Sequence, residues 1–306
     1  MKKTASKPGK LRSYLGQNPH IPFIAPAMTA MMVLSVVPTF FLGIISLTNY
    51  QLGWDFSRAK FVGLKNFIRL FSGADPDFWY SVFISLAFMV LATAIEMVLG
   101  FAFASLLNAS EFKLKGLVIG ILIIPMAMTP TIAAQMWKLM FNAEYGVLNM
   151  LLDALFGVKV VWLSADLAFW SVLLVDIWQF TPFVTLICYA GLRSISAEPF
   201  ESAAIDGANR WQILTNITLP MMRKLLFLAI LLRAVDALKL FDTAFVLTQG
   251  GPGRATEFLS LHVYRMANAQ NGLIGRAAAI ARGYTLEELE AVRAKKAEKR
   301  GGFSKK

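Results

Sequence analysis

Charge is scarce in this 306-residue chain. Asp, Glu, Lys and Arg together make up 16% of it, against 57% hydrophobic residues, and the mean hydropathy is +0.57. Soluble domains carry about a quarter charged residues, so a soluble enzyme is excluded unless the apolar residues are scattered. Cysteine occurs once, as Cys188, which excludes a disulfide within the chain and reads as a small buried hydrophobe. Histidine occurs twice, His20 and His262, far apart in flanking segments, so no metal site is expected. The sequence has no G-x-x-x-x-G-K-[ST], no H-E-x-x-H and no G-x-S-x-G. It therefore lacks a P-loop of its own, a zinc-protease helix and a nucleophile elbow. No catalytic residues are assigned, and a membrane enzyme or scaffold has little to stand on. Energy for uphill movement would come from a gradient or from another subunit. No clear internal repeat points to a secondary transporter.

The apolar residues are not scattered. They form five blocks, Ile21–Leu47, Phe78–Leu107, Leu117–Phe141, Leu167–Leu192 and Leu225–Leu247. Each reaches the ~20 residues that cross a bilayer as a helix. Barrel strands are half as long and alternate in polarity. The expected fold class is all-α, a polytopic helical membrane protein with five clear spans and no evident sixth. The net charge of +11 sits mostly beside the blocks, where Lys and Arg orient spans and meet anionic lipid. No nucleic-acid partner is expected. Residues 1–20 are polar and basic and are read as a cytoplasmic N-terminus. Loops then alternate, with eleven Lys and Arg inside and seven outside, a bias of the expected sign. The domain reading is 1–20 as the basic N-terminus, 21–272 as the transmembrane domain with a cytoplasmic loop at 194–224, and 273–306 as a basic tail. Five spans put that tail outside, whereas its nine Lys and Arg against four Glu argue for inside.

Several polar residues interrupt the blocks. Glu96 lies in the second, and Asp176, Trp178, Gln179 and Thr181 in the fourth. The fifth holds Arg233, Asp236, Lys239 and Asp242, three residues apart and alternating in sign. Each costs roughly 2.5–3.5 kcal/mol at a membrane centre. Neighbours at i,i+3 lie side by side on a helix, so the ladder can neutralise itself. Steps of three drift around the helix, so some of these charges must face other helices or a wet cavity. A structural pairing network and a role in a substrate path or partner interface both remain open.

The loop before the fifth block reads SISAEPFESAAIDGANRWQILTNITLPMMRK from Ser194. Ser196 can cap a helix whose first turn holds Glu198, Pro199 and Glu201. Gly207 breaks that helix. Ala208–Thr218 can form a second, with Trp211, Ile213, Leu214 and Ile217 as its apolar set, ended by Leu219-Pro220. Such a helix–Gly–helix suits either a partner's groove or the membrane surface.

Glu201, Ser202, Ala203, Gly207 and Ile217-x-Leu219-Pro220 resemble the signature loop of binding-protein-dependent ABC importer permeases, E-A-A, three residues, G, nine residues, I-x-L-P. Ser202 stands at the second position of this pattern, where Ala is usual. Val175–Phe183, Ala204–Trp211, Arg233–Ala267, Ile123–Asn149 and Phe61–Phe67 resemble the carbohydrate-uptake branch. The resemblance implies a type I ABC importer transmembrane domain in the bacterial cytoplasmic (inner) membrane, a permease subunit for a sugar or polyol. It implies a second permease subunit, a dimer of ATP-binding subunits and an extracytoplasmic substrate-binding protein as partners. This chain would bind no cofactor, with ATP and Mg used by the partner ATPase. The coupling residues carried over are Glu201, Ala203, Ala204, Asp206, Gly207, Trp211, Ile217, Leu219 and Pro220. Candidates for lining the substrate path are Asp176, Trp178, Gln179, Asp236, Lys239 and Asp242. Family members usually continue after the equivalent of Gly272–Ile280 into a sixth core span, which this sequence does not show.

Overall fold

The computed structural model describes residues 21–51, 55–72, 76–109 and 113–268. The basic N-terminus 1–20, the tail 273–306 and the stretch where a sixth span is not evident lie outside the described residues. The architecture is all-α, and the described residues contain no strand beyond one isolated bridge between Thr48 and Phe61. The chain divides into two compact units, Asp75–Arg265 and the segments on either side of it.

In the flanking unit the first block is helical throughout. It comprises α1 (Ile21–Met31), a π-helical turn at Met32–Val36 and α2 (Val37–Ser46). The wide turn ends two residues before Pro38. A proline in a helix lacks its N–H and its ring presses on the carbonyl four residues back, and a π turn relieves both. The helix thus accommodates Pro38 by a widened turn. Helix α3 (Lys65–Phe71) follows, and the buried Asn66 side chain donates to the carbonyls of Ser46 and Thr48.

The central unit is built on α4 (Pro76–Ala109) and α8 (Ala168–Ser194), which pack along each other more extensively than any other pair. Small residues allow the approach. A Cβ on Gly100 would lie 2.6 Å from Val184 Cγ1 and 3.0 Å from the Thr185 backbone nitrogen. Membrane helices gain their packing this way, because lipid offers no hydrophobic driving force between them. Phe88, Ala92, Val172 and Val175 are wholly buried in the core.

The third block is not one straight span. Helix α5 (Lys115–Ala127) and α6 (Pro130–Met140) meet at 95° across Met128 and Thr129. Both linking residues are extended, as residues near a following proline prefer. A short apolar helix α7 (Val147–Phe156) precedes α8.

The fifth block also differs from the expectation of one long helix. After α9 (Glu198–Ile205) and α10 (Arg210–Ile213), a second π turn at Leu214–Thr218 leads directly into α11 (Leu219–Leu238). That helix stops at Lys239, and a separate α12 (Asp242–Leu247) resumes before α13 (Leu259–Asn268). Three described helices are long and apolar enough to cross a membrane, and the bent α5–α6 pair makes a fourth. Helix α11, about 30 Å long, has the length but carries Arg223, Lys224, Arg233 and Asp236.

Candidate functional site

The loop at 194–224 folds as helix, glycine, helix. Helix α9 begins after Ala197, which caps it without a side-chain hydrogen bond, so Ser196 is not the cap. Glu201 and Ala204 are exposed, and Ala203 is the buried residue of this helix. At its end Gly207 takes φ +71°, its N–H reaches the Ala204 carbonyl at 3.2 Å, and the Ala208 N–H reaches the Ala203 carbonyl at 2.9 Å. This is the paired 5→2 and 6→1 closure that a left-handed residue provides, which explains a glycine after Asp206. Asn209 and Gln212 then form a reciprocal capping box at 2.8 and 2.9 Å. Ile205 and Trp211 stand out at 87% and 71% exposure.

Leu219-Pro220 does not end the second helix. Pro220 occupies the first turn of α11, and the backbone runs without a break from Arg210 to Leu238. The π turn ends two residues before Pro220, as the first one does before Pro38. The same removal of proline's steric conflict applies. Ile217 is half-buried there, and Leu219 and Pro220 are exposed.

Helix α11 brings Arg233 into the centre of the unit, where it is 1% exposed. Its Nε and Nη2 donate to the two carboxylate oxygens of Glu96 on α4, the second at 2.9 Å. Nη2 also donates to Asp176 of α8 at 2.6 Å, and Nη1 to Asp236 at 3.2 Å. The Phe180 ring covers the guanidinium, 4.5 Å from Cζ. Three helices are thereby joined by one side chain. The self-neutralising ladder is not formed as a unit, since only its Arg233–Asp236 step pairs and the helix ends before Lys239.

Beside this cluster lies a cavity of about 110 Å³, lined by Pro130, Asp176, Phe180, Asp236, Lys239, Leu240, Phe241, Asp242 and Thr243. Four of the six path candidates, Asp176, Asp236, Lys239 and Asp242, meet here. The break between α11 and α12 forms part of its wall. Irregular backbone at membrane depth is tolerated where it lines such a space. Carboxylates and an ammonium beside two phenyl rings can hydrogen-bond hydroxyls and cover the apolar face of a ring.

Trp178 and Gln179 fall elsewhere. Gln179 is buried and donates to the Met128 carbonyl at 3.0 Å, satisfying a backbone group freed by the α5–α6 bend. Trp178 packs edge-on against Trp137 at 5.5 Å and lines a separate apolar groove with Leu99, Ile121 and Pro125.

The Thr248–Gly253 turn is held by a second polar cluster. Gln249, Gly250 and Gly253 take positive φ. The Thr248 and Thr256 hydroxyls pair at 2.6 Å, and Arg265 donates to the Gln249 carbonyl at 2.9 Å. Glu257 is 7% exposed and meets Arg254 at 3.0 Å, His262 at 2.8 Å and Arg265 at 3.3 Å, while Arg254 also bonds Asp77. Burial raises the Glu257 pKa, but hydrogen bonds from His262 and Arg254 and the charges of His262 and Arg265 outweigh it and hold the carboxyl at about 2.

Glu96 and Arg233 are not among the six path candidates and do not line the cavity, yet Arg233, bonded by Glu96, bonds the lining residues Asp176 and Asp236. The signal was in the charges. A lone acid in a long apolar block needs a partner, and intramembrane cations are few.

A family described as binding-protein-dependent transport system inner membrane component matches residues 96–281. The trehalose/maltose transport system permease protein MalF of Thermococcus litoralis is 36% identical over 258 residues, covering 84% of this chain and 86% of that protein. The sulfoquinovosyl glycerol transport system permease protein SmoG of Agrobacterium fabrum is 29% identical over 243 residues, covering 79% of this chain and 78% of that one. The fold is similar to a chain in the crystal structure of a bacterial alginate ABC transporter in complex with alginate pentasaccharide-bound periplasmic protein, with a TM-score of 0.74, 20% identity, and coverage of 89% of this chain and 91% of that one. The helical fold, the apolar spans and the signature loop agree with these likenesses, and the chain belongs to the binding-protein-dependent transport system inner membrane components, as a membrane permease subunit of an ABC transporter and not an enzyme.

Proposed function

We propose that this chain forms half of the translocation path of an ATP-driven importer of a sugar or polyol, and that the loop from Glu201 to Pro220 couples it to a cytoplasmic ATP-binding subunit. The observation that carries the reading is the backbone continuity from the loop to the cavity. Trp211 and Ile205 offer apolar surface for a partner's groove, and the helix begun at Arg210 ends beside Lys239, in the cavity wall. The carbohydrate assignment is supported by the hydroxyl-matching side chains and phenyl rings of the cavity, and by relatives whose names specify trehalose, maltose and sulfoquinovosyl glycerol. A second permease subunit supplies the facing wall, and an extracytoplasmic binding protein delivers the substrate. The charge bias of the loops supports a cytoplasmic N-terminus in the bacterial inner membrane.

The test is co-purification in detergent with the ATP-binding subunit, followed by sugar-stimulated ATP hydrolysis in nanodiscs with maltose and trehalose. Trp211→Ala is expected to leave the chain folded, because that side chain packs on little of its own protein, and to lose both the ATPase and the stimulation. Retention of both, with Trp211 fluorescence quenched by brominated lipid, would assign the loop to the membrane surface instead.

A further inference from the structure

The cavity's charges are unevenly available. Arg233 lies behind the wall, is 1% exposed, and is engaged by Glu96, Asp176 and Asp236 under the Phe180 ring. Its guanidinium does not line the space and is spent on those carboxylates, Asp176 most closely, which leaves Asp242 without it. Lys138, on the neighbouring α6, points its ammonium at the Val246 carbonyl, 2.8 Å away, and does not line the space. The charged side chains that do line it are Asp176, Asp236 and Asp242 against Lys239 alone. Asp236 keeps 58% of its side chain exposed, and Asp242 is exposed as well.

A cleft lined by one sign of charge with low-dielectric walls concentrates ions of the opposite sign and repels the same sign. Uncharged hydroxyls are indifferent to the field and gain from the carboxylates as hydrogen-bond acceptors. We propose that this cavity admits uncharged, hydroxyl-rich solutes and excludes anionic ones, with Asp236 and Asp242 as its charge-selectivity determinants. The proposal rests on the reading of the cavity as part of the translocation path and narrows its substrate class to neutral sugars or polyols. The buried Arg233 acts through Asp236, whose carboxylate it holds at the cavity edge. Lys239 partly offsets the two aspartates.

The experiment uses the assembled transporter in nanodiscs, with Cys188→Ala to remove the native thiol and Phe241→Cys to place one in the cavity wall. Modification rates are measured with 2-(trimethylammonium)ethyl methanethiosulfonate, a cation, and 2-sulfonatoethyl methanethiosulfonate, an anion, each relative to a free thiol. The cation is expected to be favoured by roughly tenfold or more. Asp236→Asn with Asp242→Asn should bring the ratio near one, and Lys239→Gln should raise it. Should Phe241→Cys not assemble, Leu240→Cys repeats the measurement at the adjoining position. Maltose should slow modification, and glucuronate at the same concentration should not. Equal rates for the two reagents, no reaction with either, or protection by glucuronate equal to that by maltose would overturn the proposal. A raised ratio with no protection by maltose or trehalose would instead count against the path reading and leave the charge of the cavity established.

Discussion

Replacing Arg233 by Met removes the cation that joins α4, α8 and α11. Glu96 and Asp176 are 0% and 1% exposed, so neither carboxylate can turn to water when its partner is lost. Truncating one side of a buried pair costs about 3–5 kcal/mol, because the remaining charge stays desolvated. Asp236 is more than half exposed, and its share is screened to about 1 kcal/mol or less. At about 2–4 °C per kcal/mol for a unit of this size, Arg233→Met should lower the midpoint of thermal inactivation by roughly 10 °C. The midpoint is read as the fraction of monodisperse protein surviving heat in detergent. Removing the carboxylates together with the arginine, as Arg233→Met with Glu96→Met and Asp176→Leu, should recover most of the loss, since an apolar replacement of a whole buried network is close to neutral. If the single variant is as stable as the parent, the cluster contributes no stability. If the triple variant is as unstable as the single one, the loss comes from shape and not from charge.

Two further outcomes follow from the packing and from the polar cluster around Glu257. Gly100→Leu should overpack the α4–α8 interface against Val184 and the Thr185 backbone and cost about 1–3 kcal/mol, whereas Gly120→Ala, with nothing within 4 Å of the added Cβ, should be neutral or mildly stabilising; the comparison is read by heat survival. The carboxyl of Glu257 is held at about 2 against an ordinary 4.5, so its contribution is complete above about pH 4.5 and is lost as the pH falls towards 2. Glu257→Gln should flatten the stability profile across that window, and an unchanged slope would show that the carboxylate is not the titrating group.

The helices were legible in the sequence because apolar length alone sets a bilayer span, and Phe78–Leu107 and Leu167–Leu192 each became one helix. The loop was legible through its punctuation, Gly207 above all, since only a left-handed residue closes α9 as observed. What periodicity could not supply was the direction of chain at Met128–Thr129 and at Lys239–Phe241, where an apolar block continues while the backbone turns. A proline suggests a stop at Pro220, but the π turn at Leu214–Thr218 lets the helix pass it. The Arg233–Glu96 pair spans 137 positions. Spacing rules within one helix found Asp236 as a neighbour and missed the stronger partner across the fold.

The loop and the cavity are two ends of one element. From Arg210 to Leu238 the backbone is continuously helical, about 44 Å of it at 1.5 Å per residue, with the exposed Trp211 near one end and the buried Arg233 near the other. A helix is stiff along its axis and yields where its hydrogen-bond ladder is irregular. Here that place is the π turn before Pro220. A displacement applied at Trp211 is therefore divided between flexing at Thr218 and a tilt of α11. Any tilt that reaches Arg233 must strain its bonds to Glu96 and Asp176 on α4 and α8. Those bonds are strong enough to hold one arrangement and discrete enough to favour a switch over gradual deformation. Asp236 and Lys239, three and six residues further along, would move with it. The charges that burden the fifth block are thus placed where movement of the 194–224 loop would alter the cavity wall.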